Sequence, residues 1–110
     1  MENTIQLKNF NGENLAFLID NLQPLKDYKN VIYLILSDLK ESSILLINQT
    51  DSTKKDLEKD DKFDWLLLHG AKFIGIHAFP KNANRVKEFH NIVKTFEDFP
   101  IGNKEFFIIE

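Results

Sequence analysis

Val31–Leu36 and Phe73–Phe79 are apolar at nearly every position, where a strand with one wet face would alternate apolar and polar residues. A strand that stays apolar on both sides is covered on both faces, as in a parallel sheet packed between helices. The pattern predicts an α/β domain: a mostly parallel or mixed sheet of four to five strands, with helices packed on it. Thr4 to Phe10 alternates, with Ile5 and Leu7 on one face, which predicts a half-exposed strand near an edge. Leu15, Leu18, Ile19 and Leu22 recur at helical spacing, so a helix is expected from about residue 12, ended near Gln23 by Pro24.

The middle of the chain is less regular. Ile44–Ile47 is a short apolar run between polar clusters, equally a strand or one buried turn of helix. Asp51-Ser-Thr53 reads as a helix start. Charges of both signs then alternate from Lys54 to Asp64, so the first half of this helix should be solvated. Trp65 to Leu68 give it something to bury, and Gly70 suits the residue after its end. Pro80 stops the second buried strand. Asn82 or Asn84 can cap the next helix, whose apolar stripe is Val86, Phe89, Val93 and Phe96. Asp98-Phe-Pro100 ends that helix, and Glu105–Glu110 reads as a last short strand. Phe89, Val93, Phe96, Trp65 and Leu68 are the expected inward-facing residues.

Composition narrows the class. The 110 residues suit a single domain, 1–110. Ten phenylalanines imply a core rich in rings. A net charge of −3 with no basic block argues against a nucleic-acid partner, whose phosphates need Lys and Arg. Without cysteine there is no disulfide and no thiolate metal site, which suits the cytoplasm. Met1 to Ile5 lacks the features of a signal peptide, and no apolar run approaches the roughly 20 residues that span a bilayer. A soluble intracellular protein with no membrane insertion is expected.

Were the two buried strands parallel neighbours, the loops after them would meet at one sheet edge, where α/β folds gather ligands. One loop carries Ser37, Asp38, Lys40, Glu41, Ser42 and Ser43; the other carries Lys81, Asn82, Asn84 and Arg85. Ser37, Asp38, Glu41, Ser42, Ser43, Lys81, Asn84 and Arg85 are the candidate partner-binding residues. Free amides near residue 84, with Lys81 and Arg85, are also placed to hold an anion; ordinary caps and solvated loops are the plainer explanation. No glycine-rich phosphate turn and no nucleophile elbow occurs. His69, His77 and His90 lack metal-ligand spacing, so neither metal nor cofactor is expected. The acids Asp56, Glu58, Asp60, Asp61 and Asp64 are interleaved with lysines and read as a solvated face.

The order of a helix leading into Val31-Ile-Tyr-Leu-Ile-Leu-Ser-Asp38, then Lys72 to Phe79 and the helix Asn84 to Phe96, resembles the STAS family of anti-sigma-factor antagonists, including its stand-alone bacterial members. The resemblance is architectural and covers most of the chain. It implies a non-enzymatic regulatory module that binds another protein. Many members switch by phosphorylation of a Ser or Thr just past an Asp that ends a central strand. Asp38 holds that place, but Leu39 and Lys40 follow it, and Ser37, Ser42 and Ser43 are off-pattern. A second resemblance covers only Gly12 to Leu22, which is similar to the inhibitory helix of barstar-like ribonuclease inhibitors, with an acid at Asp20 but Ala16 at the second acidic position. Three functions follow as expectations. The first is a non-catalytic module for protein partners. The second is an inhibitor or immunity protein acting through Asp20 and its neighbours. The third is a small-ligand or enzymatic domain at the loop edge.

Overall fold

A computed structural model describes residues 3–107. Five strands, β1 (Asn3–Lys8), β2 (Asn14–Asn21), β3 (Lys29–Leu36), β4 (Ile44–Ser52) and β5 (Phe73–Ala78), form one sheet in the order β1-β2-β5-β3-β4. Every neighbouring pair is antiparallel, which corrects the expectation of a parallel or mixed sheet. The described residues also form four α-helices, α1 (Thr53–Leu57), α2 (Lys62–Leu68), α3 (Asn82–Val93) and α4 (Ile101–Phe106), and two short 3-10 helices, Glu41–Ser43 and Lys59–Asp61.

Coverage of both faces nonetheless explains the apolar run of β3, whereas β5 is buried only at Ile74 and Gly75 and half-buried or exposed elsewhere. Along β3, Val31, Tyr33 and Ile35 join Ile74, Leu57 and Leu66 under α1 and α2. Ile32, Leu34 and Leu36 point the other way and pack with Phe17, Ile92 and Val93 under α3. A strand between two helical layers reads as a continuous apolar run whichever way its neighbours travel.

Two elements differ in kind from the sequence pattern. The helix expected from residue 12 is strand β2. Its governing period is two: Leu15 and Phe17 are buried on one face, whereas Leu18 of the apparent helical stripe is 51% exposed. The last strand expected over Glu105–Glu110 is also replaced, because Glu105 and Phe106 lie in α4; residues 108–110 lie outside the described residues. The run Ile44–Ile47, readable either way, begins β4.

The helix start at Ser52 holds, its hydroxyl accepting a hydrogen bond from Lys55 N at 3.3 Å. The single helix expected from there is broken. Asp60 and Asp61 both adopt left-handed backbone, which aspartate tolerates better than most residues, and they separate α1 from α2. In α2, after the break, Leu66 is fully buried and Leu68, expected inside, is 85% exposed. Gly70 does take the left-handed position after α2. In α3 the N-cap is Lys81, not an asparagine, and no side chain caps it. Val93 is buried, while Phe89 and Phe96 pack half-buried on the same cluster.

Of the two edge strands, β4 is sealed by α4. The Asn103 amide accepts from Ile47 N and donates to Ile47 O, both at 2.8 Å, as a neighbouring strand would. Gly102 permits the approach: a Cβ there would sit 2.5 Å from Leu45 O.

Candidate functional site

Because β3 and β5 are antiparallel, the two candidate loops leave opposite ends of the sheet. The eight residues of β3 put those ends about 25 Å apart. The expected single edge carrying Ser37, Asp38, Glu41, Ser42, Ser43, Lys81, Asn84 and Arg85 is therefore not assembled.

At the far end, Lys81 and Asn84 are exposed at the start of α3. Arg85 is not at the surface. It is 1% exposed, donating from Nε to Gln49 at 3.0 Å and from Nη1 to the Phe79 carbonyl at 3.0 Å, with Nη2 on the Asp51 carboxylate. It ties α3 to β4 and to the end of β5, which makes it a structural clamp.

At the near end, the loop after β3 is folded around Ser43. Its hydroxyl lies 2.6 Å from the carbonyl oxygens of both Asp38 and Lys40 and accepts from Asp38 N at 3.2 Å. Ser43 is buried and Asp38 receives Leu39 N at 2.7 Å, while Glu41 and Ser42 remain exposed. α3 returns to this same end of the sheet. It finishes in a tight turn in which Thr95 N and its hydroxyl both donate to Ile92 O, at 3.0 and 2.7 Å. The chain then passes through Phe96-Glu-Asp-Phe-Pro100, and the Pro100 carbonyl accepts from Asn103 N and Lys104 N as α4 begins.

Between the Glu41–Ile44 turn and this α3–α4 connection lies an open groove of about 620 Å³. Ile44, Phe96 and Phe99 form its apolar side and pack downward on the core beneath α3. Ile101, which also lines the groove, is 46% exposed. Among the described lining residues Glu41, Glu97 and Asp98 are acidic and none is basic. Lys104 reaches Asp98 from outside at 2.7 Å, an exposed pair of little energetic weight. Of the sequence candidates, Glu41 and Ser42 line the groove. The Phe96–Ile101 side is not legible as a binding surface in the sequence, where Asp98-Phe-Pro100 signals only the end of a helix; the one visible sign is two acids set between two phenylalanines.

A second, smaller cleft of about 320 Å³ is polar, lined by Lys29, Thr50, Asp51, Ser52, Lys55, Asp56 and Lys59. Part of its lining is already engaged. Thr50 donates to Ser52 O at 3.1 Å, and Ser52 donates to Asp27 at 2.6 Å. Asp56 accepts from Asn48 at 2.9 Å, from the buried Lys62 at 3.0 Å and from the Tyr33 hydroxyl. Burial, and then the Asp56 carboxylate, push the Tyr33 hydroxyl well above the usual tyrosine range. Asp20, on β2, is held at about 2 by hydrogen bonds from Lys26, Tyr28 and Asn21 N. Tyr28 is raised to about 12, chiefly by desolvation and then by Asp20. These shifts move groups away from neutrality, the reverse of what general acid–base catalysis uses. Among the described residues no buried side-chain polar atom lacks a partner, and no group of three or more His, Asp or Glu is placed to hold a metal. No helix of the described residues is long and apolar enough to cross a membrane.

The fold and groove define a small α/β domain whose distinctive surface feature is apolar and acid-rimmed. In comparison with known proteins, the chain matches no protein family, no curated protein and no solved structure.

Proposed function

We propose that this protein is a non-catalytic regulatory module that binds another protein, and that the groove beside Glu41 and Phe99 is its binding surface. The observation that carries the reading is the groove itself: a half-buried apolar floor and the exposed Ile101 within a charged rim, built largely on loops. An interface of this form places apolar anchors at its centre and polar groups at its edge. The proposal matches the kind of function implied by the STAS-like resemblance, moves the surface from the shared loop edge to this groove, and keeps the cytoplasmic setting expected for a chain without cysteine. The inhibitor reading fares less well, because Asp20 lies on a strand and is held by Lys26 and Tyr28, and Glu13 accepts from Asn9 at 3.2 Å.

The test is comparative capture from the source cell, using wild type, Ile101→Glu and Leu68→Glu. Both substitutions place a charge on an exposed apolar residue, but only the first lies in the groove. A partner retained by wild type and Leu68→Glu and lost by Ile101→Glu supports the proposal. Partners lost only by Leu68→Glu would place the surface on α2.

A further inference from the structure

The rim of the groove specifies the chemistry of its occupant. We infer that the groove takes a short cationic segment of a partner protein, with one apolar side chain anchored on Phe96 and Phe99 and Lys or Arg residues on either side facing Glu41, Glu97 and Asp98. This rests on the reading of the groove as a protein-binding surface and adds the partner's chemistry to it.

The acids come from both banks. Glu41 stands on the turn before β4, and Glu97 and Asp98 stand on the α3–α4 connection. All three residues are exposed, so Glu41 and Glu97 can pair without a large desolvation cost, and Asp98 can exchange its exposed partner Lys104 for an incoming cation. A segment crossing between the banks meets carboxylates on each side and an apolar floor between them. An acidic segment would face like charge on both banks, and a neutral one would leave the rim unused.

The mode of attachment is also constrained. Strand addition to β4 is closed at Ile47, where Asn103 already occupies both the N–H and the carbonyl. α4 lies directly against Leu45, as the Gly102 contact requires. Recognition therefore rests on side chains, an anchor and its flanking charges, and not on main-chain pairing.

The experiment uses the synthetic peptide Lys-Arg-Leu-Phe-Arg-Lys with a fluorescent label. One control replaces Leu-Phe by Ser-Ser, and another replaces every basic residue by Glu. Titrations use the full chain and the triple variant E41K/E97K/D98K, with melting curves to verify folding. The inference expects the first peptide to bind wild type at least about tenfold more tightly than either control. Its affinity should weaken as ionic strength rises from about 0.05 to 0.3 M. The triple variant should reverse the preference, favouring the Glu peptide. Equal binding of all three peptides, or tight binding that survives charge reversal, overturns it. A concentration-dependent dimer abolished by Ile101→Glu would assign the groove to a second copy and also overturn it. If capture yields a groove-dependent partner whose contacting segment is acidic or uncharged, this inference falls while the protein-binding reading stands. Loss of groove dependence in capture removes both.

Discussion

Arg85 shows how residue-level chemistry differs from residue-level pattern. In the sequence it stands in a polar stretch after a proline, beside Lys81 and Asn84, and reads as a surface cation. In the structure its guanidinium is enclosed, with three acceptors arranged around its fork. Nothing in the local sequence signals this, because Gln49 and Asp51 come from a strand more than thirty residues earlier. Arg85→Ala should cost roughly 1.5–3 kcal/mol in denaturant unfolding, because it removes a buried side chain and its three hydrogen bonds, while the Asp51 carboxylate left behind is open to water. A loss below about 1 kcal/mol would show that the clamp is dispensable. Asp20 supplies a pH test at the same scale. Its folded value of about 2 lies below the ordinary 3.8, so its contribution to stability is present above 3.8 and is lost as pH falls from there toward about 2. Asp27, also held at about 2 by Lys29 and Ser52, behaves in the same direction. Thermal melts should therefore fall through this window, and Asp20→Asn should fall less steeply than wild type while keeping the part due to Asp27. An identical slope in the variant would remove Asp20 from the account.

Among the elements, those legible in the sequence were the ones with a single dominant period. β1, β3, β5 and α3 lie close to where their patterns put them. β2 was not legible because Leu15, Phe17 and Ile19 satisfy a period of two while Leu15, Leu18, Ile19 and Leu22 satisfy a helical one. Pairing with β1 and β5 on either side decides the matter. α4 was missed because Glu105-Phe-Phe-Ile-Ile looks extended, whereas the chain up to Phe106 is turned into a helix that covers the edge of β4. The α1–α2 break gives the sharpest element-level test. Leu66→Ala should cost about 2–5 kcal/mol, the range for deleting a buried leucine, and Leu68→Ala should change stability by less than about 0.5 kcal/mol. The reverse ranking would restore an unbroken helix with Leu68 inside.

The direction of the whole sheet turns on one undecided element. β4 and β5 run the same way and are joined by a helical crossover, as a parallel reading requires, but β3 lies between them. The run Ile44–Ile47 decides this. As a helix it would leave β3 and β5 joined by one crossover and free to be parallel neighbours; as a strand it forms a hairpin with β3 and reverses the chain once more. Both faces stay covered either way, so the apolar runs could not distinguish the two. The same reversal carries the Lys81–Arg85 segment to the far end of the sheet and brings the end of α3 beside Glu41. Of the candidate surface only Glu41 and Ser42 were thus legible in their final place, and the opposite bank was not.

Amide chemical-shift mapping of the isotopically labelled full chain, on addition of the captured partner, tests whether partner recognition occurs in this groove. Perturbations should concentrate at residues 41–44 and 95–101, with little change at 79–85 or around Asp20. Perturbations centred on Lys81 and Asn84, or on Glu13 and Asp20, with the groove unaffected, would contradict it.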